Sequence, residues 1–397
     1  MQHPINILER YWNFTEFKPL QEEIINAVIE GEDTFALLPT GGGKSICFQI
    51  PALAQEGICI VISPLIALMK DQVQKLQEQG IKAMALTSGI PPQQLDTLLD
   101  NCIYGNYKFL YLSPERLQQE LVQQRIRQMN VNLIAVDEAH CISHWGNDFR
   151  PAYKNINILR ELQPGINVLA LTASATPKVV QDIIKELDFI KPKIFKQSFS
   201  RPNLGYLVLH EDDKYHRMES ILKKYTASSI IYVRNRKLTL EISSFLESKG
   251  ITATYYHGGL SNTDKDRFMQ QWLHDQKQVM VATNAFGMGI DKPDVKTIIH
   301  FNLPESLESY FQEAGRAGRN GEKAFAVILK NKGDEISVKN QFLSVLPTVD
   351  FIKQVYRKLC SYFQISYGEG EFTTHDFDFN TFCKVYEFNT VLCYNAL

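Results

Sequence analysis

The chain has 397 residues, 44% of them hydrophobic and 22% charged, with a formal net charge of −2. This is an ordinary globular composition, long enough for two or three domains, and it excludes a collagen-like, disordered or disulfide-stapled chain. The near-neutral balance announces no nucleic-acid partner, so any such partner must meet a local stripe of charge.

The opening residues, MQHPINILER, lack the apolar core of a signal peptide, and no apolar run approaches a membrane span. Seven scattered cysteines include no CxxC pair, which fits a reducing, cytosolic setting without a disulfide framework or a four-cysteine zinc site. Residues 1 to 30 predict helix, with apolar Ile24, Ile25, Val28 and Ile29 and with Pro19 near the start of the stronger stretch. Within FTEFKPLQ, the Phe14 ring and the Lys18 stem can sandwich a purine, and the Gln21 amide can pair with its polar edge. Taken alone, the same residues also read as the start of an amphipathic helix.

Thr34 to Leu38 predicts a short buried strand, and Lys44 to Ile50 can start a helix. Between them stands PTGGGKS, Pro39 to Ser45. Strand, glycine-rich loop and helix is the context of a phosphate-binding loop. Thr40, Gly41, Gly42 and Gly43 can bring backbone N–H groups close to phosphate oxygens, Lys44 can reach the β- and γ-phosphates, and Ser45 can offer its hydroxyl to Mg²⁺. Leu38 stands where the strict GxxxxGK[ST] form has its first glycine, so the match is to the TGxGK[ST] core.

Further strands are predicted at Ile58 to Ser63, Lys108 to Ser113, Val131 to Val136 and Asn167 to Thr172, with helices from Leu65 to Gln79 and from Pro114 through Met129. Strand and helix alternating at this spacing imply a parallel sheet with ligands at the strands' carboxyl ends. DEAH, Asp137 to His140, begins at such an end. Asp137 can hold Mg²⁺, Glu138 can deprotonate an attacking water, and His140 can link the site to a neighbouring domain. In CISHWGNDFRPAY, Trp145, Phe149 and Tyr153 lie close to His144 and Arg150. Aromatic faces stack on unpaired bases and arginine meets phosphate, although single aromatics also plug cores. ALTASAT follows, with Thr172, Ser174 and Thr176 placed to relay between carboxylates and a second domain.

Pro192 and Pro202 mark a linker near Lys191 to Asn203. A second alternating block then predicts strands at Ser229 to Val233, Ala253 to His257, Val279 to Thr283, Thr297 to Phe301 and Ala324 to Leu329, with helices at Lys237 to Lys249 and Asp264 to Asp275. It has no phosphate loop of its own. It carries QEAGRAGRNG, whose Arg316 and Arg319 are three apart and would share one helical face. Such a pair suits arginine fingers delivered to a γ-phosphate, and a surface RxxR is the plainer alternative. Val349 to Phe363 predicts an amphipathic helix with Ile352, Val355, Tyr356, Leu359 and Phe363 inward, and two short helices follow around Asn389.

PTGGGKS, DEAHCISHWGNDFRP, ALTASAT, AFGMGIDKPDV and QEAGRAGRNG, in this order and spacing, resemble the RecQ family of superfamily-two helicases over about Leu8 to Gly333. The resemblance implies an α/β fold of two tandem RecA-like parallel-sheet domains, at 1–200 and 201–345, then a small, mostly helical C-terminal segment at 346–397. It implies ATP and Mg²⁺ in the cleft, single-stranded and partly duplex DNA as partner, and 3′ to 5′ translocation in repair or recombination. By position, Lys44, Ser45, Asp137, Glu138, Arg316 and Arg319 take the roles given above, and FKPLQ resembles the adenine-holding element. Trp145, Phe149 and Arg150 would couple DNA to hydrolysis, and Arg234 and Arg236 resemble a DNA-contact motif. A monomer in the cytoplasm or on the chromosome is expected.

Lys18 departs from the usual arginine. Many relatives carry a four-cysteine zinc domain, whereas Cys360, Cys383, Cys393 and His375 match no zinc spacing, so no zinc is expected. The tail reads as a partial winged helix that breaks off at Leu397. An RNA helicase, a duplex translocase and a non-hydrolysing clamp stand as alternatives.

Overall fold

The computed structural model describes residues 3–87, 89–143, 149–286, 292–366, 368–371 and 373–397. The chain forms two compact units, one of Met1–Leu207, Tyr215–His300 and Pro304–Val327, the other of Val208–Lys214, Phe301–Leu303 and Ile328–Leu397. Thirteen strands occur among the described residues: β1 Thr34–Leu37, β2 Ile58–Ile62, β3 Ala83–Leu86, β4 Phe109–Leu112, β5 Val131–Val136, β6 Val168–Thr172, β7 Lys193–Lys196, β8 Leu204–His210, β9 Ser229–Tyr232, β10 Ala253–Tyr256, β11 Val279–Ala282, β12 Thr297–His300 and β13 Ala324–Lys330.

Seven of them make a sheet in the order β3-β4-β2-β5-β6-β1-β7, and all six of its pairings are parallel. Its inner strands are largely apolar and buried because helices cover both faces. The period of two is still visible in where side chains go. Phe35, Ile60, Ile62, Leu110, Ile134 and Val136 pack into one core, while Ala36, Cys59, Val61, Phe109, Leu133 and Ala135 pack into another. The order sets β5, β6 and β1 side by side, so DEAH, ALTASAT and the glycine-rich loop all leave the same edge of the sheet.

The second sheet runs β10-β11-β9-β12-β13-β8, with β10–β11, β11–β9 and β9–β12 parallel. Its core gathers Ile230, Tyr232, Met280, Phe286 and Ile298 around the fully buried Trp272. Trp272 meets Phe286 edge to face at 5.6 Å and donates from Nε1 to Ser229 O at 3.3 Å.

The second unit is mainly helical. Helices Val349–Phe363, Phe379–Val385 and Thr390–Ala396 enclose Val355, Phe382, Cys383 and Cys393. Lys214 is buried there, its Nζ 2.7 Å from Phe301 O and 2.5 Å from Asp334. Ile352 and Tyr356, expected inward, are 41% and 50% exposed, because the helix buries a narrower stripe through Phe351, Val355 and Leu359.

Three other expectations are corrected. The predicted helix from Pro114 through Met129 is two pieces, Pro114–Leu117 and Glu120–Ile126. The predicted linker contains β7, whose Lys193 N–H donates to Asp33 O and which pairs with β1. Short strand β3 and the helix Pro92–Tyr104 fill a stretch without an assigned element in the sequence reading.

Candidate nucleotide and nucleic-acid site

The glycine-rich loop leaves β1 and turns on Gly41 and Gly43, both with positive φ, +81° and +72°. The helix begins at Ile46 with Ser45 as its N-cap, so Lys44 and Ser45 occupy the turn before it. N–H groups at this end have no intrahelical acceptor and point out of the helix, which suits an anion. Two residues from the preceding element hold the loop's carbonyls. Lys18 Nζ donates to Gly41 O at 2.9 Å, and Gln21 Nε2 donates to Gly42 O at 3.3 Å and Gly43 O at 3.0 Å. Gln21 Oε1 accepts from the Lys18 N–H at 2.9 Å. The Gln21 amide, expected to meet a purine edge, thus bonds the chain itself, while Phe14 is 56% exposed.

Across the sheet edge, Asp137 and Glu138 follow β5. The Asp137 N–H donates to Ile62 O, and its carboxylate accepts from the Glu138 N–H at 2.9 Å. Burial first, and then the neighbouring Glu138, push the Asp137 carboxyl up to about 7, with Lys44 pulling the other way. Glu138 is held left-handed, at φ +47°, a conformation that costs a non-glycine residue about 1–3 kcal/mol and concentrates at functional sites. Its Oε2 lies 3.3 Å from His140 Nδ1, which is also 2.8 Å from Thr172 Oγ1. His140 is buried and so links DEAH to the end of β6. Tyr153, read as a possible base-stacking aromatic, is instead fully buried and donates to Asp137 O at 3.0 Å.

Gln72, on the helix Ile66–Glu78, is a site residue the sequence reading missed. Its Nε2 donates to Ser45 Oγ at 2.9 Å, and its Oε1 accepts from Gln49 Nε2 at 3.1 Å. A polar residue on a half-buried helix just past the carboxyl end of β2 was the available signal.

Arg316 and Arg319 do not share a helical face. The helix Leu307–Ala314 ends before them, and both lie in the turn that follows, which Gly318 enters with φ +62°. The turn nevertheless brings both to the first sheet's loop. A cleft of about 170 Å³ is lined by Thr40, Gly41, Gly43, Lys44, Ser45, Asp137 and Glu138 from one side and by Gln312, Arg316 and Arg319 from the other. A Cβ on Gly315 would stand 3.1 Å from Thr40 Cβ, and one on Gly41 would stand 3.4 Å from Arg319 Cγ. Arg316 is buried beside Tyr232.

Around this cleft the Asp137 and Glu138 carboxylates, the Ser45 hydroxyl, Lys44, Arg316 and Arg319 can together bind and polarise a polyphosphate. Ser45 Oγ and the Asp137 carboxylate are the hard oxygen donors that Mg²⁺ takes, and a cation beside Asp137 would offset the burial and crowding that raise its pKa. Among the described residues no group of three or more His, Cys, Asp or Glu could hold a metal ion alone. Mg²⁺ characteristically uses one or two protein oxygens together with phosphates and waters. Cys360, Cys383 and Cys393 are buried, and His375 stacks on Phe363 at 4.9 Å.

Residues 144–148, with His144 and Trp145, and residues 287–291 of AFGMGIDKPDV lie outside the described residues. Phe149 is half-buried with Lys154 Nζ 5.8 Å from its ring centre, and Arg150 Nη1 donates to Pro64 O at 2.8 Å. Arg234 and Arg236 follow β9, Arg234 half-buried and Arg236 exposed at the start of the helix Arg236–Ser248. No helix among the described residues is long and apolar enough to cross a membrane.

Residues 18–183 match the DEAD/DEAH box helicase family, and residues 213–321 match the helicase conserved C-terminal domain. The chain is 41% identical over 332 residues to the probable ATP-dependent DNA helicase RecS of Bacillus subtilis, covering 82% of this chain and 66% of RecS. It is 43% identical over 332 residues to ATP-dependent DNA helicase RecQ of Bacillus subtilis, covering 83% of this chain and 56% of RecQ. The chain therefore spans between half and two thirds of the length of these relatives. In fold it resembles the Mycobacterium smegmatis helicase Lhr, with a TM-score of 0.68 at 20% identity over 85% of this chain and 50% of that one. Two RecA-like parallel sheets in tandem, a helical C-terminal part and about 40% identity to RecS and RecQ over most of its length place this chain in the RecQ family of helicases.

Proposed function

We propose that this chain is an ATP-dependent DNA helicase motor that moves 3′ to 5′ along single-stranded DNA and separates partly duplex DNA, in repair or recombination. The observation that carries this reading is the cleft in which the phosphate loop and DEAH carboxylates of one sheet face Arg316 and Arg319 of the other. Thr40, Gly41, Gly42 and Gly43 cradle the phosphates with backbone N–H groups, and Lys44 neutralises them. Ser45 and Asp137 would hold Mg²⁺, which when bound would neutralise phosphate charge. Glu138 takes a proton from the attacking water. Arg316 and Arg319 stabilise the charge that develops on the transferred phosphoryl group, a role worth about 10³–10⁵ in rate for fingers of this kind.

Phe14, Lys18 and Gln21 form the base-side wall, with Lys18 and Gln21 also bracing the loop. Trp145, Phe149 and Arg150 meet single-stranded DNA, with His140 passing its presence to Glu138, and Arg234 and Arg236 meet the strand from the second sheet. The working lobes are 1–200 and 201–345, with 346–397 a helical C-terminal region. The protein acts as a monomer in the cytoplasm or on the chromosome and needs no zinc.

ATP turnover with single-stranded DNA or RNA, and strand separation on duplexes with a 3′ or a 5′ single-stranded tail, test the reading. Stimulation by DNA and unwinding of the 3′-tailed duplex support it. Equal stimulation by RNA, or a preference for the 5′ tail, refutes the substrate or the direction.

A further inference from the structure

The stretch between β7 and β8 leaves the first sheet and enters the second, and it grips the turn that carries the two arginines. Arg201 Nη1 donates to Gly315 O at 2.8 Å and its Nη2 to Gly318 O at 2.6 Å. These two carbonyls bracket Arg316 and Ala317 in the chain. Asn203 Nδ2 donates to the same Gly318 O at 2.8 Å and to Glu322 O at 2.9 Å, and Asn203 O accepts from the Ala324 N–H at 2.9 Å.

The chemistry fits a clamp. The Gly315 carbonyl lies at the helix's C-cap and the Gly318 carbonyl in the turn beyond it, and the planar guanidinium offers one donor to each in a fixed fork. Burial lowers the Arg201 pKa, and its hydrogen-bond acceptors are neutral carbonyls of a single turn. Room for adjustment is small on both sides of that turn. A Cβ on Gly318 would come within 2.7 Å of Asn203 Nδ2, and one on Gly315 within 3.2 Å of Thr40 Oγ1. The turn is therefore wedged between the connecting stretch and the phosphate loop.

We propose that Arg201 and Asn203 are positioning residues for hydrolysis: by holding the carbonyls of Gly315 and Gly318 they fix where Arg316 and Arg319 stand over the phosphate loop. This rests on Arg316 and Arg319 being the phosphate-facing arginines. Through the same grip, movement of one sheet relative to the other reaches the arginine pair along the chain that joins them.

The test measures kcat and KM for ATP with saturating oligo-dT, and the affinity of a fluorescent ADP with and without aluminium fluoride, on the full chain. The variants are Arg201→Ala, Arg201→Lys, Arg316→Ala, Arg319→Ala and Arg201→Ala/Arg316→Ala. A misplacement of about 1 Å costs on the order of 100-fold in rate, so Arg201→Ala should lower kcat about that much with KM little changed. Arg201→Lys, which keeps one donor, should recover part of the loss, and it carries the test if the alanine variant does not fold. ADP affinity should hold while the extra affinity conferred by aluminium fluoride falls. The double variant should lose no more than Arg316→Ala alone. If Arg316→Ala loses turnover while both Arg201 variants keep it, or if the losses multiply in the double variant, the clamp is overturned and the arginine reading stands. If Arg316→Ala and Arg319→Ala both keep wild-type turnover, the arginine reading itself is overturned.

Discussion

Gly43→Ala is a sharp probe of how the phosphate loop keeps its shape. Gly43 sits at φ +72°, and a Cβ there would run into Gln21 Nε2, the atom that donates to Gly42 O and Gly43 O. The left-handed backbone costs alanine about 1–2 kcal/mol. Pushing Gln21 away forfeits two hydrogen bonds at about 0.5–1.5 kcal/mol each, for a total near 3 kcal/mol. Because a loop that leaves its binding shape must be returned to it by the ligand, the cost appears as lost affinity, on the order of 100-fold. Titration of a fluorescent ADP measures it, with thermal melting as a check on the fold. Gln21→Ala alone should cost about 1–3 kcal/mol through the two lost bonds. In the Gln21→Ala background the clash is gone, so Gly43→Ala should then cost only the backbone strain, about 1–2 kcal/mol. An equal cost of Gly43→Ala in both backgrounds, or affinity within threefold of wild type, would refute the reasoning.

Three further outcomes follow from the same geometry. In metal-free protein Asp137 is pushed up to about 7, and a raised carboxyl pKa favours the folded state only while protonated, so stability falls as pH rises from about 4 to about 7. Asp137→Asn should therefore melt above wild type at pH 8 in chelator and with it near pH 4, and equal melting at pH 8 would contradict this. Gln72→Leu removes the donor to Ser45 Oγ and should raise the Mg²⁺ concentration needed for half-maximal nucleotide binding by about 10-fold, as loss of a supporting hydrogen bond does at metal sites, leaving Mg²⁺-free binding unchanged. Trp272→Ala empties the centre of the second core and should cost about 3–5 kcal/mol in denaturant unfolding, whereas a loss under about 1 kcal/mol would mean that the core closes over the gap.

The central strands were legible because burial dictates their composition. VNLIAV, short, β-branched and apolar apart from Asn132, reads as an interior strand, and β5 occupies the predicted residues, Val131–Val136. The edges were not. KIFK of β7 lies beside Pro192 and is mostly exposed, so its strand character comes from pairing with β1, which no local pattern announces. AMAL of β3 has no β-branched residue to mark it. At the site, the chemistry of PTGGGKS and DEAH was readable because phosphate and metal binding demand those residue types at strand ends. The supporting bonds were not. Gln72, Arg201 and Asn203 act through main-chain carbonyls or a single hydroxyl across long sequence separations. The three-residue spacing of Arg316 and Arg319 suggested a helix, but Gly315 and Gly318 end it, and the pair meets the loop from a turn.

The proposed function requires that this cleft hydrolyse ATP in response to single-stranded DNA. The direct measurement is steady-state ATP turnover of the full chain with Mg²⁺, with and without oligo-dT, on wild type and Glu138→Gln, alongside fluorescent-nucleotide binding to both. Turnover should rise at least about 10-fold with DNA in wild type and fall to near background in Glu138→Gln, although that variant binds nucleotide as well as wild type, since a positioned general base contributes about 10²–10⁴. Wild-type protein that binds nucleotide but does not turn it over with DNA, or Glu138→Gln that hydrolyses as fast as wild type, would contradict it.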